Sequence, residues 1–124
     1  MPNLATKGQQ IVGTLRVKNA VIPNKQIASA DGAITIKDGV VVITKAGVAA
    51  LTLADPTATV DDYKTLTIVS VTAAAHTVTN TTGFNAGGAG SDVATYSAAK
   101  GACLVLVAYH GVWYTRSLTS VTLA

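Results

Sequence analysis

The residue types that could carry out chemistry are few in this chain, and their spacing matches no familiar catalytic pattern. The two histidines, His76 and His110, lie far apart, and neither has a Cys, Asp or Glu at the spacing of a zinc site. No GxSxG element surrounds a serine. Asp61 and Asp62 are adjacent, so on an extended chain they point to opposite sides, which favours a turn over the carboxylate pair of a glycosidase. We therefore expect no catalytic residues and no enzyme activity.

A glycine-rich segment over residues 83–91 is the one feature that invites a nucleotide-binding interpretation. A phosphate-binding loop needs a Lys and then a Ser or Thr at fixed spacing, opening a helix. Here Ser91 and Asp92 follow the glycines and no Lys is present. We expect a flexible loop and no cofactor. We also expect no metal, although a trimer could place one histidine per subunit around its axis.

The aromatic residues do not predict nucleic-acid binding. A platform for single strands combines aromatic rings with a basic groove, and only Arg116 lies near the aromatic pair at the C-terminal end. Packing in a core or an interface is the simpler role for these residues: Tyr63, Tyr96, Tyr109, Trp113 and Tyr114.

Composition predicts the elements that must position these residues. The 124 residues include 21 Ala, 16 Val and 18 Thr, with no Glu and three Gln. Val and Thr suit a pleated surface, whereas a solvent-facing helix draws on Glu, Gln, Lys and Arg. One domain of this length is expected to be all-β, a compact antiparallel sandwich or small barrel of about eight short strands.

The charge content is low for a monomer. Only 12% of residues are charged, about half the usual share, which is typical of a surface partly hidden between subunits. We therefore expect an oligomer. Basic residues are concentrated near the N-terminus. We expect residues 1–26 to form an N-terminal arm that precedes a single β domain over 27–124. The arm is a candidate docking segment for an acidic surface, through Lys7, Arg16, Lys18 and Lys25.

Two features bear on the compartment. The lone Cys103 lies in an apolar run, which indicates a buried small side chain and synthesis in a reducing cytoplasm. The N-terminal sequence MPNLATKGQQ lacks the apolar region of a secretory signal, and no apolar run approaches the length of a membrane helix. We expect no membrane partner.

Asp38-Gly39 is the sharpest local signal. It separates two apolar runs, 33–37 and 40–44, as in a two-residue type I′ hairpin. That register would place Ile36 opposite Val41 and Ile34 opposite Ile43.

The C-terminal block predicts further strands. Residues 104–107 are apolar on both faces, as in a strand covered from both sides. A tight turn at His110-Gly111 would pair Ala108 with Trp113 and Val107 with Tyr114. We expect trimer or core packing from Leu104, Val105, Leu106, Val107, Trp113 and Tyr114. Residues 121–123 should form the last strand.

Parts of the chain resemble a domain that recurs in structural proteins of tailed phages. The resemblance covers residues 45–124 and is carried by the AAAHTVT and AYHGVWY segments, together with residues 49–56, 66–68, 83–84 and 121–124. Family members that end in this way are trimeric capsid decoration (cement) proteins or head- and tail-fibre modules. Residues 1–44 show no such resemblance.

The resemblance implies a homotrimer that is made in the bacterial cytoplasm and located on the capsid surface of the virion. Its partners would be the major capsid protein and further copies of itself, with no nucleic acid. Two alternatives remain open: a trimeric fibre or receptor-binding module, and a carbohydrate-binding β domain outside any virus.

Overall fold

Alternating inward and outward side chains build two packed sheets from the residues that the structure describes. A computed structural model describes residues 24–124. Within this range there are ten strands and two short 3-10 turns, η1 (Phe84–Ala86) and η2 (Gly88–Gly90). The strands are β1 (Lys25–Ala28), β2 (Gly32–Ile34), β3 (Gly39–Ile43), β4 (Ala50–Leu53), β5 (Thr65–Ser70), β6 (Thr77–Thr79), β7 (Val93–Tyr96), β8 (Cys103–Tyr109), β9 (Val112–Thr119) and β10 (Val121–Leu123).

The first six strands wind between the two sheets as a coil. Odd-numbered strands enter sheet A and even-numbered strands enter sheet B, so β1, β3 and β5 are neighbours, as are β2, β4 and β6. Every pairing within these two groups is parallel. Each connection therefore crosses from one layer of the sandwich to the other.

The last four strands complete both sheets in the antiparallel sense. In sheet A, β8 pairs with β5 and β9 pairs with β8, giving the order β1-β3-β5-β8-β9. In sheet B, β7 pairs with β6 and β10 pairs with β7, giving β10-β7-β6-β4-β2. Both sheets keep separate edge strands, so the architecture is an open sandwich.

The core lies between the sheets and takes alternate residues from each strand. Two large residues in it satisfy their polar atoms on backbone carbonyls. The Tyr96 hydroxyl donates to Ile68 O at 2.7 Å, and Trp113 Nε1 donates to Ala54 O at 2.9 Å. Burial raises the pKa of Tyr96 far above its ordinary value of 10.0. Both side chains therefore fill the core without leaving a polar atom unpaired.

The all-β prediction is confirmed, and so is the sandwich. Uniformly antiparallel pairing is wrong, because the coil of β1 to β6 makes both sheets mixed, and the sheets do not close into a barrel. The N-terminal arm, 1–26, lies mostly outside the described residues; its last two residues, Lys25 and Gln26, belong to β1.

The Asp38-Gly39 hairpin is also wrong. The strands on either side of it lie in different sheets, β2 beside β4 and β3 beside β5, so Ile34 pairs with Leu53 instead of Ile43. Gly39 is required for another reason. Its φ is +105°, and a Cβ there would lie 2.0 Å from Asn24 O, which accepts a hydrogen bond from Val40 N.

The predicted C-terminal pairing and the last strand are confirmed. Ala108 pairs with Trp113 and Val107 with Tyr114 across the turn at His110-Gly111. The final strand β10 covers the expected residues 121–123.

The inward and outward positions of β3 give a first test. Val41 is fully buried, whereas its neighbour Val40 points outward and is half-buried. Val41→Thr should lower the free energy of unfolding by about 1–3 kcal/mol, since it buries a hydroxyl without a partner. Val40→Thr should lower it by less than Val41→Thr does, because Val40 lies outside the core of the domain. Urea unfolding measures both, and equal losses would contradict the register.

Candidate functional site

The outer face of sheet A is the most unusual surface of the described residues. We call it the valine face. Strand register and alternating burial assign to it Lys25 and Ile27 from β1, Val40 and Val42 from β3, Thr65, Thr67 and Val69 from β5, Cys103, Val105, Val107 and Tyr109 from β8, and Val112, Tyr114, Ser117 and Thr119 from β9. Lys25 is the sole charged side chain among them. An outer sheet face is ordinarily polar, so this one has the composition of a contact surface.

The outer face of sheet B has a different chemistry. It presents mainly hydroxyl groups, and we call it the threonine face: Ala33, Ala50, Thr52, Thr77, Thr79, Val93, Thr95 and Thr122. Threonine hydroxyls are readily solvated by water, whereas the aliphatic side chains of the valine face are not. The two sides of the sandwich are therefore unequal, and the valine face is the side suited to docking.

Charged residues of the described range lie almost entirely in loops. Lys25 and Arg116 are the exceptions within strands, and Arg116 lies opposite the register shift between Val105 and Leu106 of β8. A charge at a bulge on an edge strand discourages unwanted strand pairing. The remaining charges thus leave both broad faces neutral.

Tyr63 extends the valine face beyond β5. Its backbone N–H donates to Ala108 O at 2.7 Å, and its ring centroid lies 5.8 Å from that of Tyr109. The side chain is 76% exposed, and its φ of 70° is unusual for an aromatic residue. The bond to Ala108 holds this conformation and fixes the ring beside Tyr109.

Two carboxylates brace the loop that carries Tyr63. Asp62 Oδ1 accepts from His110 N at 2.9 Å and from Thr59 N at 3.2 Å, which ties this loop to the β8–β9 turn. The buried Asp61 accepts from Lys64 Nζ at 2.7 Å.

Asp61 also accepts from Thr57 N at 2.7 Å, and Lys37 Nζ lies 3.3 Å from its Oδ2. The hydrogen bond from Lys64, then that from Thr57, hold the pKa of Asp61 well below its ordinary value of 3.8. The adjacent carboxylates therefore serve loop structure, the role that the sequence favoured for them.

The residues predicted for trimer or core packing separate by strand face. Leu104, Leu106 and Trp113 are fully buried in the core. Val105 and Val107 are half-buried on the valine face, and Tyr114 is exposed there. Residues 104–107 are apolar on both sides, as predicted, but within the described residues only one side of this strand is covered.

The basic residues predicted for docking fall in two groups. Lys25 is exposed in β1, at one edge of the valine face. Lys7, Arg16 and Lys18 lie outside the described residues.

His76 directly precedes β6, and its ring is buried in the core. Its Nδ1 accepts from Ala49 N at 3.0 Å. Thr72 Oγ1 donates to Lys45 O at 2.7 Å, so it accepts from His76 Nε2–H, 2.8 Å away. These bonds specify the neutral ring, and burial, followed by the charge of Lys45, lowers its pKa below 6.5.

The glycine-rich segment has a structural part that sequence reasoning missed. Phe84 is fully buried, and the Asn85 side chain accepts from Thr115 N at 2.9 Å, which occupies part of the β9 edge. Gly83 permits the turn: its φ is +92°, and a Cβ there would lie 2.4 Å from Gly88 N. The lone phenylalanine inside a glycine-rich run was the available signal.

Residues 24–124 contain neither a cluster of metal-ligating side chains nor a helix long enough to cross a membrane. No group of three or more His, Cys, Asp or Glu side chains is placed to hold a metal ion. None of the helical turns in this range has the length and apolar content needed to span a bilayer.

Comparison with known proteins adds no relative: no family model, curated protein or solved structure matches the chain.

The buried histidine gives a pH prediction. Because the folded-state pKa of His76 lies below 6.5, the unfolded chain takes up the proton first as the pH falls. The stability that neutral His76 contributes is therefore complete above about pH 6.5 and is lost as the pH falls below it. Urea unfolding at about pH 7.5 and about pH 5.5 should show this loss in the wild type and a smaller one in His76→Gln.

His110→Asn is the matched control. His110 is exposed and has a φ of 48°, which Asn tolerates, so this variant should keep the wild-type pH dependence. If His76→Gln loses as much stability at low pH as the wild type does, the buried ring of His76 is not the source of the pH dependence.

Proposed function

We propose that this chain is a capsid decoration protein of a tailed phage, acting as a homotrimer on the outer capsid surface. The observation that carries the proposal is the valine face, a largely apolar outer surface on which Lys25 is the one charged side chain among the described residues. Such a surface suits a protein that works by contact. The resemblance of the AAAHTVT and AYHGVWY segments to phage structural proteins is our reason for proposing a phage capsid as the partner.

The proposed mechanism is mechanical. The body would bridge neighbouring capsid subunits while the basic arm docks on acidic capsid surface. An interface of standard size buries ~1,600 Å², and three linked copies engage together with an avidity greater than that of one. The added contacts would resist the outward pressure of packaged DNA without any chemical step.

The rigid strands suit this role. The winding of β1 to β6 places every coil in contact with the next, and the antiparallel strands β7 to β10 continue both sheets. Deforming such a sandwich would separate a close-packed core.

A trimeric fibre or receptor-binding module is the second candidate. It is favoured by the exposed pair Tyr63 and Tyr109, since tyrosines are common at recognition surfaces. A carbohydrate-binding domain outside a virus draws on the same pair. It receives no support from Trp113, which is fully buried and bonded to Ala54 O.

Capsid binding tests the proposed function. Replacing Lys7, Arg16, Lys18 and Lys25 together with Ser should weaken binding to undecorated capsids of the same phage, since four cations would leave the contact. We expect at least a tenfold rise in Kd, about 1.4 kcal/mol, with the oligomer intact. Cosedimentation with capsids at increasing salt measures it, and wild-type binding should fall with salt.

The control removes positive charge from the body through Lys100→Ser with Arg116→Ser. Both residues are exposed and lie outside the arm, so capsid affinity should stay within about twofold of the wild type. If the wild type fails to bind undecorated capsids but binds a host surface glycan, the fibre module replaces the decoration protein.

A further inference from the structure

We infer that a second copy of this chain covers the valine face, which makes this face the subunit interface of the proposed oligomer. The inference deepens the proposed function and rests on it for the existence of the oligomer. It assigns the outer face of sheet A to contact between copies and leaves the capsid contact to the basic arm, with Lys25 at the border of the two.

The size of the face fits a subunit contact. The face has fifteen outward positions, which lie ~4.8 Å apart between strands and ~6.8 Å apart along them, or ~33 Å² for each. The flat projection is ~490 Å², and side-chain relief and the rim at Tyr63 add to it. A standard interface takes ~800 Å² from each partner, so the face supplies most of one.

The lack of charge at the centre of the face favours another copy of the chain over an acidic capsid surface as its partner. In a two-fold dimer this face would meet its own copy, and in a ring of three it would meet a different patch of the neighbouring copy or line the shared axis. A charge at its centre would then be buried against another subunit, which is costly without a partner. The centre of the valine face carries none, and Lys25 lies on the edge strand β1. A surface made for acidic capsid would instead carry cations across its centre.

The composition is also that of a subunit core. Interface centres are depleted in charge and enriched in aromatic residues. The valine face has aliphatic residues in β3 and β8 and at Val69 of β5, and tyrosines along one side at Tyr63, Tyr109 and Tyr114. The threonine face is uncharged, but it has no aromatic residue and mainly hydroxyl groups, so we leave it to solvent.

A matched pair of charge insertions tests the inference. Thr67 and Thr77 lie on the central strands of sheet A and sheet B, both pointing outward and both half-buried. Thr67→Lys places a charge in the middle of the valine face, and Thr77→Lys places the same charge on the threonine face. Thr65→Lys, on the same face as Thr67, is the second valine-face variant.

Sedimentation equilibrium over a range of concentrations gives the readout. Thr67→Lys and Thr65→Lys should weaken self-association at least tenfold, while Thr77→Lys should match the wild type. Circular dichroism and urea unfolding establish that each variant is folded. Folded Thr67→Lys and Thr65→Lys proteins that assemble like the wild type would overturn the inference.

The chain carries its own probe of the covered surface. Cys103, the single cysteine of the sequence, half-buried and opposite Val69, points out from the valine face. A thiol reagent such as a maleimide should label it at least tenfold more slowly in the wild-type assembly than in monomeric Thr67→Lys. Equal rates in these two proteins would mean that no second copy covers this face.

Failure of this inference differs from failure of the proposed function. A wild type that stays monomeric, or that assembles independently of Thr67, overturns the assignment of the valine face. Binding to undecorated capsids then decides the decoration function separately. A wild-type dimer that Thr67→Lys dissociates supports the face as interface but contradicts the homotrimer.

Discussion

Sheet A is apolar on both of its faces, and within the described residues only one of them is covered. The inner face meets sheet B and forms the core, where Ile68, Leu104 and Leu106 are fully buried. The outer face repeats this apolar character in Val69, Val105 and Val107 but meets no third layer in this range. Burial of apolar area is the main favourable term in association as in folding. The same strands that build the domain therefore carry its strongest tendency to associate.

The loops between the strands hold most of the charge of the described residues, and within sheet A charged side chains occur only on the edge strands, at Lys25 and Arg116. Each crossing between the layers is made in a loop, and the loops hold the charge and the polar bonding. Asp61 joins Lys64 to the loop at Thr57, and Asp62 joins the same loop to His110. The buried ring of His76 likewise holds the loop between β3 and β4, because its Nδ1 accepts a hydrogen bond from Ala49 N. Among the described residues the two broad faces thus carry one charged side chain, Lys25 at the edge of the valine face, and the other face is rich in hydroxyls.

Much of the fold was predictable from residue types, and the part that was not depends on distant contacts. Val and Thr content predicted the all-β class, and the turn at His110-Gly111 predicted the β8–β9 register. Both signals are local. The parallel winding was missed because no local signal tells which sheet a strand joins. Gly39 has the sequence context of a hairpin glycine. A side chain is excluded there because it would clash with the backbone of Asn24, the residue before β1.

The site was predictable to a similar extent. An apolar run at residues 104–107 indicated cover on both sides, but only the pairing of β8 with β5 and β9 separates core Leu104 and Leu106 from outer Val105 and Val107. Tyr63 was named for its ring, while its position beside Tyr109 depends on a bond to Ala108.

Whether the valine face is covered is the central question. Light scattering on the wild-type protein at low and high salt answers it most directly. We predict a mass three times that of the single chain at both salt concentrations, since an apolar interface is not screened by ions. A stable monomer at both, or an assembly that dissociates at high salt, would contradict an interface built on the valine face.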